Sequence, residues 1–314
     1  MNRNFLQKSV LCLFCPLVAS TAIASVEMDI SYVGDIGNSD DTTGYGGVDY
    51  GYYVGTYEVT NSQYVSFLNA KAKTDTHTLY NSQMGTDLQG GITQVGSDGS
   101  FEYSSKENFG NKPVNFVSFW DAARFANWMT NGQGNGDSET GMYTLTTEAI
   151  TANTVTRNST YFSAVTGVAV GAYAIASEDE WYKAAYYNTA GNYSSYPTGA
   201  EPSTEVANFS ADGVLTDVGS FGEFSTSDYG TFDQGGNVFE WIDTIEGDNR
   251  VMRGGDASNT VASLESVARY SSDGGFEGSN VGFRVVPEPS SYAAIFGCFT
   301  LAVVTMRRKA RRVF

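Results

Sequence analysis

The 314-residue sequence predicts an α+β fold with much irregular structure. Three observations carry this. Short aromatic and β-branched runs at 50–59, 250–255 and 281–286 read as strands. Three capping signals each open a short segment with an apolar face, the pattern of a surface helix. Between them lie long stretches rich in Gly, Ser, Asp and Thr. No period of 20–50 residues points to a solenoid.

Taken in order, residues 1–24 hold Arg3 and Lys8, an apolar run through Val18, and then Ala22-Ile23-Ala24. That is the pattern of a secretory signal peptide with an A-x-A cut. Residues 25–49 read as a loose lead-in, and the domain proper is expected over 50–286. The 50–59 run leads to Thr60 or Asn61 as a helix cap, with Tyr64, Phe67 and Leu68 on one face. Residues 71–112 are polar and Gly-rich, either an irregular insertion or a small hairpin region. Pro113 to Ser118 reads as extended. Ser118, with Asp121 at the third position, opens a helix over 119–130 that Gly132 helps to stop. Residues 138–172 are Thr- and Val-rich and read as β ribbon. Ser177-Glu178-Asp179-Glu180-Trp181 is another capping box. Residues 188–233 form loops that contain Asn208 and Asp212-Gly213.

The chain is organised around Gly235-Gly236-Asn237-Val238-Phe239-Glu240-Trp241. A glycine pair gives a tight turn, and the residues after it alternate with period two, as in a strand. An acid between two large aromatics requires a partner, either a cation or backbone N–H groups.

Residues 287–314 carry Pro287-Glu288-Pro289, an uncharged stretch over 291–306, and a cluster of Arg307, Arg308, Lys309, Arg311 and Arg312. This tail resembles the PEP-CTERM sorting signal. The resemblance implies export in a Gram-negative bacterium, a short membrane helix, and processing by an exosortase. Anchoring at the envelope and later release to the matrix both fit it.

The two ends hold seven of the 18 basic residues and one of the 35 acidic ones. The body is left with 11 basic and 34 acidic residues, a net charge of −23. Such a charge argues against nucleic acid and anionic lipid surfaces as partners. Cys12, Cys15 and Cys298 all fall in the ends, so no disulfide can staple the body.

Much chemistry is excluded. His77 is the one histidine, which rules out His-based triads and transition-metal sites. No Rossmann, Walker or EF-hand pattern is present. A carboxylate pair for glycoside hydrolysis stays open, because sequence gives no separation between acids.

Six motifs then line up in order. They are Val54-Gly55-Thr56-Tyr57-Glu58-Val59-Thr60-Asn61; Pro113 to Ser118 followed by Trp120-Asp121-Ala122; Ser177 to Trp181 followed by Lys183-Ala184-Ala185; Gly236 to Trp241; Arg253-Gly254-Gly255; and Gly282-Phe283-Arg284. The series resembles the formylglycine-generating enzyme (sulfatase-modifying factor) family over 50–286. That resemblance implies an irregular C-type-lectin-like α+β fold.

It also implies copper held by two cysteines, and structural Ca²⁺. The cysteine positions fall at Val261 and Ser266, so copper is not expected. Calcium is expected at Asn208 and Asp212 with the carbonyls of Phe209 and Val214, and at Asn237 and Glu240. A pocket is expected from Ser266, Arg269, Asn280 and Arg284. Three functions follow: an exported binding domain for a polysaccharide, peptide or protein; an oxidase that works without the cysteine pair; or a structural matrix component.

Overall fold

Three capping boxes start the three main helices. The computed structural model describes residues 25–159, 172–210 and 212–287. In chain order the elements are β1 (Ile30–Val33), β2 (Tyr52–Gly55), α1 (Asn61–Lys71), α2 (Gln83–Thr86), β3 (Ile92–Val95), β4 (Glu102–Ser105), α3 (Phe119–Thr130) and α4 (Thr147–Thr151). They continue with β5 (Tyr173–Ile175), α5 (Glu178–Tyr186), β6 (Phe239–Glu246), β7 (Asn249–Arg253), β8 (Tyr270–Asp273), β9 (Val281–Gly282) and β10 (Val285–Pro287).

Thr60 caps α1, Ser118 caps α3 and Ser177 caps α5. In each, the cap side chain accepts from the third residue's N–H while that residue's side chain takes the cap N–H. Orphan donors at the helix start are thereby satisfied, each cap contributing about 1 kcal/mol.

The strands form one four-stranded sheet, in the order β8-β7-β6-β9, and three two-stranded ribbons. Within the larger sheet β6 pairs with β9 in parallel, and the other pairs are antiparallel. The hairpin alternative for residues 71–112 is realised as β3–β4. The expected ribbon over 138–172 does not form where it is described, and its residues 160–171 lie outside the described residues. Here Thr146 caps α4, and the Asn127 side chain ties down the carbonyls of Ser138 and Tyr143. Side-chain bonds of this kind compete with a strand ladder.

The main core is aromatic. Phe67, Phe125, Trp128 and Phe283 meet at ring centroid distances of 5.3–5.7 Å. A second cluster holds Tyr52, Trp181, Tyr182, Tyr186, Ile242 and Val251 between α5 and the sheet. Both deeply buried indoles near β6 have partners. Trp241 Nε1 donates to Val117 O at 2.9 Å, and Trp181 Nε1 to Glu240 Oε2 at 2.8 Å. Among the described residues no helix is long and apolar enough to cross a membrane. The expected signal peptide (1–24) and the sorting tail from residue 288 on, with its membrane helix over 291–306, lie outside those residues.

Candidate functional site

The glycine pair before β6 is required by geometry. Gly236 has φ +100°, and a Cβ there would lie 2.2 Å from Asn208 O. Only glycine accepts that approach. Gly236 N donates to Gly254 O, and Asn237 N donates to Asn208 O at 2.8 Å. This turn delivers Glu240 to the centre of the molecule, where it is fully buried.

The partner that Glu240 requires is Arg284. Arg284 Nε donates to Oε2 and Nη2 to Oε1, both at 2.6 Å. The other N–H groups reach Gly55 O, Thr56 O and Phe232 O. All five guanidinium donors are therefore used, the condition under which a buried ion pair is tolerated.

Two further acids crowd this centre. Asp233 accepts from Gly219 N at 2.6 Å, and burial pushes its carboxyl up to about 6. Glu58 accepts from Asn237 Nδ2 through Oε1, while Oε2 is buried with no partner. Burial, and then the charge of Asp233, hold the Glu58 carboxyl well above the usual carboxylate range. A neutral acid is the form this environment admits. Sequence reading assigned no role to either residue. The signal for Glu58 was available, because it stands in an aromatic and β-branched run just as Glu240 does.

Above this centre an open cleft of about 380 Å³ is bordered by Gln89, Asp212, Asn237, Asp256, Ser279 and Asn280. Asp256 Oδ2 accepts from Asn280 Nδ2 at 2.7 Å, and its Oδ1 takes the N–H and hydroxyl of Ser258. Asn237 Oδ1 lies 3.1 Å from both Thr216 N and Asn208 Nδ2.

The four expected pocket residues are not brought to one place. Asn280 borders the cleft. Arg284 is enclosed in the core. Arg269 forks onto Glu178 (2.7 and 3.1 Å), also pairs with Glu246, and lies over the Tyr45 ring. Ser266 is buried, its carbonyl accepting from Arg253 Nη1 at 3.0 Å, and Arg253 shares Glu178 with Arg269.

The expected calcium ligands divide similarly. Asn208 Nδ2 lies 3.0 Å from Val214 O and 3.3 Å from Thr216 Oγ1. With Asn237 Oδ1, these put three oxygens around one amide NH2, which donates to them. Asp212 and Val214 are exposed beside it, while Phe209 is buried. Glu240 does not fit this role, since Arg284 and Trp181 already take both its oxygens. Among the described residues no three His, Cys, Asp or Glu side chains converge as a metal-holding group.

Residues 47–289 match the model of the Sulfatase-modifying factor enzyme 1-like domain. The crystal structure of CarF is similar at 22% identity, with 84% of this chain and 99% of that one covered and a TM-score of 0.54. Variable protein 1 of Treponema denticola is similar at 19% identity, with 85% and 97% covered and a TM-score of 0.53. These likenesses carry the fold, which is the irregular C-type-lectin-like α+β arrangement. No curated protein matches the chain.

Proposed function

The chain belongs to the Sulfatase-modifying factor enzyme 1-like family, and we propose that it acts as an exported, non-catalytic binding or matrix domain at the cell envelope. The observation that carries this reading is the donor set at the two positions where the resemblance puts the copper-holding cysteines. Val261 packs against the cluster of Tyr196, Phe209 and Leu264 and has no ligand atom. Ser266 offers a hard, neutral hydroxyl, and its backbone is committed to Ser195 O and Arg253. Cu(I) prefers soft sulfur, and all three cysteines lie in the chain's ends.

The test incubates purified protein with Cu(I), oxygen, a reductant and a Cys-x-Pro-x-Arg peptide. Mass spectrometry is expected to find the cysteine unchanged. Conversion to formylglycine would overturn the reading and promote the oxidase alternative.

Structural calcium belongs to the same proposal. Asn208, Asp212 and the carbonyls of Phe209 and Val214 would hold it, cross-linking the loop over 208–214 to the turn before β6. A ligand that binds only the folded form raises the melting temperature, so EGTA is expected to lower it. An unchanged curve, with no metal in the purified protein, removes the ion.

Export rests on the two ends of the sequence. Fractionation of cells carrying a tag before Pro287 is expected to place the protein at the envelope or outside the cell. A tag confined to cytosol would refute both export and an exosortase-type processing partner. A polysaccharide or protein ligand completes the proposal.

A further inference from the structure

A second cleft, of about 410 Å³, opens between α4, the β6–β7 turn and the residues that follow β8. Trp120, Ile150, Ala152, Asp248, Asp273 and Gly274 border it. Nothing in the family resemblance or in the cleft near Asn237 uses it. Its volume falls within the range of small-molecule sites.

What distinguishes this cleft is unsatisfied hydrogen-bonding capacity. Trp120 is 8% exposed, and its indole N–H makes no hydrogen bond among the described residues, yet it is not sealed from solvent. Gly274 keeps this edge of the ring open. A Cβ on Gly274 would lie 2.8 Å from Trp120 Cζ2 and 3.0 Å from Cε2, the atom bonded to the indole nitrogen. The Asp248 carboxylate is exposed and likewise has no protein partner. Asp273 uses Oδ1 for Gly275 N at 2.7 Å and leaves Oδ2 free. Arg250, beneath the cleft, is committed to Asn153 Oδ1, Asp243 Oδ1 and Val155 O, so it presents no free positive charge.

These groups select a ligand class. The indole N–H offers one donor to a ligand, and the Asp248 carboxylate and Asp273 Oδ2 offer acceptors. An ammonium or guanidinium group supplies donors only and would leave the indole unpaired. An anionic sugar would meet two carboxylates with no cation to offset them. Neighbouring hydroxyls of one neutral sugar supply both, and its C–H face suits Ile150 and Ala152. We propose that this cleft binds a neutral saccharide residue of a polysaccharide. In it, Trp120 Nε1 donates to one hydroxyl oxygen while Asp248 and Asp273 accept from adjacent hydroxyls. The inference rests on the binding reading above and gives it a site and a ligand class.

The test is affinity electrophoresis of the full chain in gels containing dextran, mannan, xyloglucan or a β-1,3-glucan, with alginate as the anionic control. At least one neutral polymer is expected to retard the protein, and alginate is not. Trp120→Phe keeps an aromatic six-membered ring and removes the pyrrole ring with its N–H, so it is expected to weaken retardation about five- to tenfold. Asp248→Asn lies on an exposed turn, where the fold is indifferent to it, and is expected to weaken retardation as well.

No retardation by any neutral polymer would overturn the inference, as would retardation unaltered in both variants. So would capture of oligolysine that Asp248→Asn abolishes and Trp120→Phe leaves intact. A pull-down of native matrix separates the two levels. Equal capture by wild type and both variants refutes this site and leaves the binding reading standing. No capture by any of them refutes both.

Discussion

Replacing Glu240 by Gln tests the account of the core directly. The substitution keeps the shape and removes the charge. Glu240 Oε1 accepts from Arg284 Nη2, and Oε2 accepts from both Arg284 Nε and Trp181 Nε1. Whichever way the amide turns, its NH2 group faces a donor. Arg284, 1% exposed, is then a buried cation without its fork partner. Breaking a buried pair from one side typically costs about 3–5 kcal/mol. Asp233 can offset part of this, because loss of the Glu240 charge favours its ionisation beside Arg284.

For a domain of this size each kcal/mol moves Tm by about 2–4 °C, so the expected fall is roughly 6–20 °C. Calorimetry on wild type and variant reads it. Arg284→Met is the complementary arm. It leaves Glu58, Asp233 and Glu240 together without a cation, so its deficit is expected to shrink as pH falls from about 7.5 to 5 and Glu58 and Asp233, whose carboxyls burial raises, protonate. A Glu240→Gln variant within about 2 °C of wild type, or an Arg284→Met deficit that grows on acidification, would refute the reasoning.

Two further perturbations follow. Burial pushes Asp121 up to about 7 and Asp233 up to about 6. A carboxyl raised in the folded state binds more protons there than when unfolded, so stability falls as pH rises from about 4 toward 7, by roughly 2–4 kcal/mol per group. Tm measured across that window is expected to decline with pH, and Asp121→Asn to flatten the decline; a Tm that rises with pH would contradict the assignment. Gly236→Ala drives a Cβ against Asn208 O at a left-handed φ. It is expected to cost on the order of 1–3 kcal/mol in chemical denaturation, and an unchanged midpoint would remove the steric argument.

The sequence made local features legible and left distant ones hidden. Capping boxes depend on residues three apart; those at Ser118 and Ser177 appear where the spacing puts them, and of the two candidate caps before α1 Thr60 is the one used, in a box with Gln63. The need of Glu240 for a partner was legible from its neighbours. The identity of that partner was not, because Arg284 lies 44 residues away and arrives only through the β6–β9 pairing. For the same reason Arg284 read as a pocket residue. The motif Gly282-Phe283-Arg284 does not say which way its arginine turns, and the fold sends Phe283 into the aromatic core and Arg284 onto Glu240. The run at 138–159 misled in another way. Its Thr content favours strand, but Thr146 and the side chain of Asn127 bind the backbone instead.

Saturation of polar groups separates scaffold from site in this molecule. Around Glu240 the guanidinium donors, the indole of Trp181 and the amide of Asn237 all have partners, and the one orphan, Glu58 Oε2, is sealed in the core, so that region holds the chain in place and has little left for a ligand. The cleft beside Asn237 is intermediate. Asp256 has spent both oxygens on Ser258 and Asn280, and Gln89 Oε1 is taken by Leu215 N. What remains there is chiefly the exposed Asp212, since the oxygens near Asn208 accept from its amide and from Thr216 N. The Trp120 cleft is the reverse case, with a donor and acceptors that no protein group uses within one opening. A ligand can be recognised only by polar groups that the protein has not already spent on itself. By that measure, the proposed saccharide site lies between α4 and the β6–β7 turn, away from the motifs that identify the family.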